Sequence, residues 1–128
     1  MKSIHTDSAP KAVGPYSQGV LAGSTLYVSG QLPINPDTTT FAGEDISSQT
    51  RQSLNNVFAV VEAAGMQKTD IVKCGVFLQD LNDFQAMNAV YSELFGDHKP
   101  ARFAVQVARL PLDAKVEIDA VAVKETRP

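Results

Sequence analysis

The sequence predicts an α+β fold, a mixed sheet built in the order β-β-α-β-α-β-β with two helices packed on one of its faces. Three observations predict it. Two stretches repeat apolar residues at spacings of three and four, the period of a helix that buries one side. Around and between them run short alternating or apolar segments bounded by Gly and Pro, which read as strands. The length, 128 residues, suits one domain over residues 1–128 with one core, and two layers fill it.

The elements follow in order. Residues 16–21 and 25–30 flank Ala22-Gly23-Ser24 and form a hairpin. Pro33 and Pro36, followed by Asp37 and three threonines, make a polar loop, after which Phe41 starts a short extra strand. Leu54, Val57, Phe58, Val61 and Ala64 share one face of the first helix, which Ser47 or Ser48 caps and Gly65 ends. Residues 71–79 form a strand with Val72, Cys74, Val76 and Leu78 on one face and Lys73, Gly75 and Gln79 on the other. A second helix starts with a capping box of Asn82 and Gln85, buries Phe84, Met87, Tyr91 and Leu94, and ends at Gly96. Two closing strands, 102–109 and 115–123, form a hairpin around Pro111-Leu112-Asp113, and residues 124–128 fray.

With both helices on one face, the other face of the sheet needs cover. The last strand places Val116, Ile118, Ala120 and Ala122 on one side and Lys115, Glu117, Asp119, Val121 and Val123 on the other. A side half polar and half apolar suits a subunit interface better than bulk solvent, which predicts a homo-oligomer.

Composition excludes several function classes. No apolar run approaches the ~20 residues of a membrane span, and no apolar stretch follows the N-terminus as in a secretory signal. The lone cysteine, Cys74, excludes an internal disulfide framework and a Cys-rich zinc site, which fits a cytoplasmic protein. A net charge of −3 gives no basic face for nucleic acid. Phosphate loops, metal-type His/Cys clusters and a serine nucleophile elbow are absent.

His5 and His98 read as surface histidines, Cys74 as a small buried hydrophobe, and Arg109 as the partner of Asp113 in a local ion pair. Arg102 and Glu117 divide evenly between two readings. Each suits the wetter face of a strand, yet a guanidinium can grip a carboxylate with two parallel hydrogen bonds and a glutamate can orient a water. In a simple hairpin, paired residue numbers sum to about 224 or 225, which separates the two charges by roughly 20 Å along the ladder. A site holding both therefore spans a subunit boundary. Gly30 allows close backbone approach and its N–H could donate to an oxyanion, while Tyr16 could offer a wall or a hydroxyl.

Several segments together resemble the Rid family, also called the YjgF family, whose members include 2-iminobutanoate/2-iminopropanoate deaminases. They are Gly14-Pro15-Tyr16-Ser17-Gln18-Gly19, Val28-Ser29-Gly30-Gln31-Leu32-Pro33, Ala63-Ala64-Gly65, the run from Val76 to Phe84, Asn88-Ala89-Val90-Tyr91, Pro100-Ala101-Arg102, Val107-Ala108-Arg109-Leu110-Pro111 and Val116-Glu117-Ile118-Asp119-Ala120. They span nearly the whole chain in order. The resemblance implies a chorismate-mutase-like fold assembled as a homotrimer with clefts between subunits. It also implies hydrolysis of reactive 2-enamines and 2-imines (2-aminoacrylate, 2-iminopropanoate, 2-iminobutanoate) to 2-oxo acids and ammonia. The partner is then a small 2-imino or 2-oxo acid, with no cofactor, metal, nucleic acid or membrane. By the family pattern Arg102 holds the substrate carboxylate, Glu117 positions the water, and Tyr16, Ser29, Gly30 and Asn88 line or support the pocket.

The chain departs from that pattern where relatives commonly carry Ser-Cys after the arginine and this sequence has Phe103-Ala104. Ala104 keeps a backbone carbonyl able to hold a water, but no thiol. The segment Gly96-Asp97-His98-Lys99 is also short. A non-catalytic trimer that binds small carboxylic acids is the alternative on the same scaffold. An RNA-acting protein, an activity attributed to some relatives, is disfavoured by the charge.

Overall fold

The protein is described by a computed structural model covering residues 1–125. Strands β1 (Lys2–Ile4), β2 (Gly19–Ala22) and β3 (Thr25–Gln31) precede helix α1 (Ile46–Ala63). Strand β4 (Ile71–Leu78), helix α2 (Phe84–Phe95), and strands β5 (Ala101–Gln106) and β6 (Val116–Val123) complete the chain. The six strands form one sheet in the order β1-β2-β3-β6-β4-β5. Both helices cover one face of it, so the α+β, two-layer expectation holds. No helix of the described residues is long and apolar enough to cross a membrane.

The core lies between that face and the helices. Leu54, Val57, Val60 and Val61 of α1, with Met87 of α2, are fully buried against Leu26, Cys74, Val76, Leu78, Val116 and Ile118. Each such large side chain contributes about 1.5–3 kcal/mol through burial. Gly19 lets α1 approach closely, since a Cβ there would stand 2.8 Å from Val60 Cγ1. Phe58 and Ala64 extend the α1 stripe as partly buried neighbours.

The first hairpin turns through Gly23 at φ +62, and Ala22 pairs Thr25. Its first strand begins at Gly19 rather than residue 16, because the chain before it bends at Gly14 (φ +134) and stays outside the ladder. The N-terminus adds the unanticipated β1, paired to β2. Phe41 forms only an isolated bridge with Ile34.

Helix ends correct the reading in detail. Asp45, not a serine, caps α1 by accepting from the Ser48 N–H at 3.0 Å, and that contact holds its carboxyl below the ordinary aspartate value. Gly65 (φ +78) and Gly96 (φ +63) end the helices as expected. The Asn82–Gln85 box is absent: Asp80 caps a single 3-10 turn by accepting from Asn82 N–H, and α2 continues from there. Val72 is 47% exposed because a register shift between Ile71 and Lys73 turns Ile71 inward in its place. Lys124, read as frayed, donates its N–H to Ser24 O and its Nζ to Gly65 O. Residues 126–128 of that expected tail lie outside the described residues.

The largest correction concerns the last two strands, which do not pair. Strand β5 runs parallel to β4 at the sheet edge, whereas β6 inserts antiparallel between β3 and β4. The α2 crossover returns the chain parallel to β4, leaving β5 on the outside. The chain then passes the end of β4 through Leu112 and Asp113, both at positive φ. Gln79 anchors that passage, accepting from Leu110 N–H and donating to Ala108 O. Strand β6 takes the central slot because its inward residues Val116, Ile118, Ala120 and Ala122 are buried at every second position, while β5 has none buried.

Candidate functional site

Arg102 pairs in register with Cys74, whose other neighbour is Ala120, so it projects to the helix-covered face at the open edge of the sheet. There α2 receives it. Its Nη1 donates to Asn88 Oδ1 at 2.7 Å, and its guanidinium carbon lies 4.8 Å from the centre of the Tyr91 ring and 5.5 Å from that of Phe84. One bond and two ring contacts hold the planar fork while most of its five donors remain available for an anion. A hollow of about 340 Å³, lined by Asn88, Tyr91, Ser92 and Lys99 among others, opens beside it.

Glu117 lies between the buried Val116 and Ile118 and therefore points to the opposite, uncovered face. It sits over Gly30: a Cβ at position 30 would meet Glu117 Oε2 at 2.7 Å. Burial first, and the Asp119 carboxylate second, raise the Glu117 pKa above the ordinary glutamate value. Asp119 in turn accepts from Gly75 N–H at 2.8 Å. A cleft of about 570 Å³ surrounds Glu117, with Tyr16, Ser29, Gly30 and Leu112 on its walls. The Ser29 hydroxyl donates to Ser17 O at 2.6 Å and its N–H to Gln18 O at 2.9 Å, so Ser29 holds the strand ends together.

The expected site residues thus fall into two groups. Tyr16, Ser29, Gly30 and Glu117 share one cleft, and Arg102 and Asn88 share another. Ala104, two residues beyond Arg102, lines a separate hollow of about 450 Å³ with Leu81, Phe84 and Gln85. The hairpin register that separated Arg102 from Glu117 along a ladder is overturned. The separation persists for another reason: β4 stands between them and they point to opposite faces of the sheet.

The uncovered face is unfinished. Tyr27, Phe103 and Val105 are 54%, 38% and 42% exposed there, beside the half-buried Phe77, Val121 and Val123. Phe103 lies edge-on to Phe77 over Gly75, where a Cβ would come within 2.6 Å of its ring. Phe103 therefore stays out of the Arg102 pocket.

Sequence reasoning missed Asp119 as the neighbour that raises Glu117, Tyr91 as the platform under Arg102, and Gln18 as a clamp. Only i, i+2 spacing on one strand could have pointed to Asp119. Arg109 and Asp113 form the expected ion pair at 3.0 Å. His5 lies at the surface 3.4 Å from Asp7, while His98 is half-buried and bonds Ile71 O at 2.7 Å.

The family model described as Endoribonuclease L-PSP matches residues 6–124. A 2-iminobutanoate/2-iminopropanoate deaminase of Salmonella typhimurium is 55% identical over 126 residues, which cover 96% of this chain and 98% of that protein. The YjgF gene product of E. coli has the same fold at a TM-score of 0.95 with 52% identity, covering 98% of this chain and 100% of the other. E. coli TdcF, solved with bound serine, matches at a TM-score of 0.94 with 49% identity over 98% and 100% of the two chains.

Proposed function

We infer the activity from family membership and site geometry together: this chain belongs to the Rid (YjgF) family, and we propose that it hydrolyses 2-imino acids to 2-oxo acids and ammonia. The observation that carries the reading is the pair of complementary half-sites. Arg102 offers an anion-binding fork in a hollow without a carboxylate, and Glu117 offers a carboxylate base in a cleft without a guanidinium. One chain cannot join them, because they occupy opposite faces of its sheet. A neighbouring copy of the chain completes each cleft, which is the reason for a homotrimer closed around the half-apolar face.

The chemistry needs little more. The substrate carboxylate docks on Arg102 through two parallel charge-assisted hydrogen bonds, with Asn88 and Tyr91 fixing the plane of the fork. The adjacent C2 is electrophilic because its nitrogen carries a proton as the iminium. Glu117 of the facing protomer orients a water and takes one of its protons as oxygen bonds to C2. That proton passes to nitrogen; Glu117 then takes the remaining hydroxyl proton as the 2-oxo carbonyl forms and the C–N bond breaks, and ammonia, leaving with the bonding pair, carries that proton away as ammonium. On this reading the Gly30 N–H is the donor to the developing oxyanion and the Ala104 carbonyl is the acceptor for the water. The raised proton affinity of Glu117 suits a base that must hold a proton briefly. Imines of this kind hydrolyse unaided in water, so orientation of two reactants supplies the acceleration, and the reading calls for no cofactor.

The test couples a dehydratase, which generates 2-aminoacrylate or 2-iminobutanoate, to the purified protein and follows oxo-acid release. Faster release is expected. Binding of a 2-oxo acid in calorimetry with no acceleration would identify a non-catalytic carboxylate binder.

A further inference from the structure

The Glu117 cleft has a wall that the catalytic reading leaves unexplained. Pro10, Lys11 and Val13 line it, and they belong to an N-terminal stretch outside any strand. Among the described residues, every hydrogen bond tying residues 6–13 to the rest of the chain runs through one side chain, that of Gln18. Its carboxamide oxygen accepts from Thr6 N–H at 2.7 Å. Its Nε2 donates to Thr6 O at 3.0 Å, Pro10 O at 2.8 Å and, more weakly, Ala9 O at 3.3 Å.

Gln18 is 2% exposed, so these bonds replace water that cannot reach it. An amide that accepts from an N–H and donates to the C=O of the same residue imitates a strand neighbour. The stretch therefore gains a surrogate ladder where the real one ends at Gly19. The main chain of Gln18 faces the other way, its carbonyl accepting from Ser29 N–H at 2.9 Å, one residue before Gly30. One residue thus ties the wall, by its side chain, to the floor on which Glu117 rests, by its backbone.

We propose that Gln18 is the positioning residue of the Glu117 cleft, fixing the wall of residues 6–13 at the separation a bound 2-imino acid requires. The proposal rests on the deaminase reading for its substrate, but its geometry stands apart from the chemistry. Gln18 touches no reacting atom. Its loss should weaken ligand capture and leave the chemical step intact.

The experiment compares Gln18→Leu and Gln18→Glu with the unaltered protein, each first checked for assembly by size-exclusion chromatography. Leu keeps the volume and removes every bond; Glu keeps the acceptor for Thr6 N–H and removes all three donations. KM for the imine and the calorimetric Kd for 2-oxobutanoate should both rise about tenfold, with kcat within twofold. Amide exchange at Thr6 should accelerate in Gln18→Leu. A variant with lowered Tm but unchanged KM and Kd overturns the proposal, as does a fall in kcat alone or loss of assembly in both variants. Should the unaltered protein bind 2-oxobutanoate without turnover, the deaminase reading falls and the Kd comparison alone decides the role of Gln18. Absence of both binding and turnover overturns both.

Discussion

The two faces of the sheet differ in what they leave undone. On the helix side Leu54, Val57, Met87, Cys74 and Ile118 are fully buried, and Arg102, in register with Cys74, stands at the rim with its fork held by α2. On the other side carboxylates and apolar side chains alternate, Glu117 and Asp119 among Tyr27, Phe103 and Val121, and no helix or strand of the described residues covers them. The first face is finished by folding, and the second, on the proposed reading, only by assembly. The proposed site would draw one group from each, and so a small domain holds both an anion fork and a half-buried carboxylate without pairing the two with each other.

The comparison breaks most sharply at Arg102. Arg102→Ala deletes the charged fork that α2 holds at the rim of the sealed side and creates no cavity in the core, so assembly and Tm should hold while kcat/KM falls by about 10³-fold. Full retained turnover would remove Arg102 from the mechanism. On the uncovered side, Gly30→Ala should lower kcat by about 10²-fold, because the new methyl, 2.7 Å from Glu117 Oε2, forces the base aside and misplacing a reacting group by about 1 Å costs that much. Unchanged kcat would show that the carboxylate position is not critical.

A smaller effect separates the two carboxylates. The charge of Asp119 is the second cause, after burial, of the raised Glu117 pKa. In the proposed reaction Glu117 acts ionised, so turnover should be lost as pH falls through that pKa, at a higher pH than for an ordinary glutamate. Asp119→Asn keeps an acceptor for Gly75 N–H and removes the like charge, so the acid limb of kcat/KM should move to lower pH. The sign for stability is opposite: the folded state binds the Glu117 proton more tightly than the unfolded chain, so this group favours folding below its unfolded pKa and loses that contribution as pH rises through the folded value. An acid limb unmoved by the substitution would assign it to another group.

The sealed face was largely legible in the sequence, and the uncovered face was not. The stripes of α1 and α2 and the alternation of β6 are local patterns, set by which side chains must leave water, and they give the helices, the core and the outward direction of Glu117. The neighbour of a strand is not local. Residues 110–114 look like a hairpin loop, yet β6 passes beyond β4 because a strand buried at every second residue is better placed between two ladders than at an edge. Arg102 and Glu117 were found by residue type, and their placement in different clefts followed even from a wrong register. The Gln18 clamp was invisible, since a buried glutamine bonding four backbone groups has no signature apart from the fold that presents them.

Cys74 offers the mildest test of where the sealed face stops. Its thiol is fully buried, directly in register with Arg102, and faces the Tyr91 hydroxyl, itself buried without a well-formed hydrogen bond. Burial pushes the Cys74 pKa up to about 11, so thiolate is scarce at neutral pH even beside an anion-binding fork. Alkylation by iodoacetamide at pH 8 should therefore be negligible in the assembled protein and complete after denaturation, with 2-oxobutanoate making no difference to the native rate. Rapid labelling of native protein, slowed by that ligand, would mean that the Arg102 hollow opens onto β4 and that the boundary between finished and unfinished surface runs inside the core.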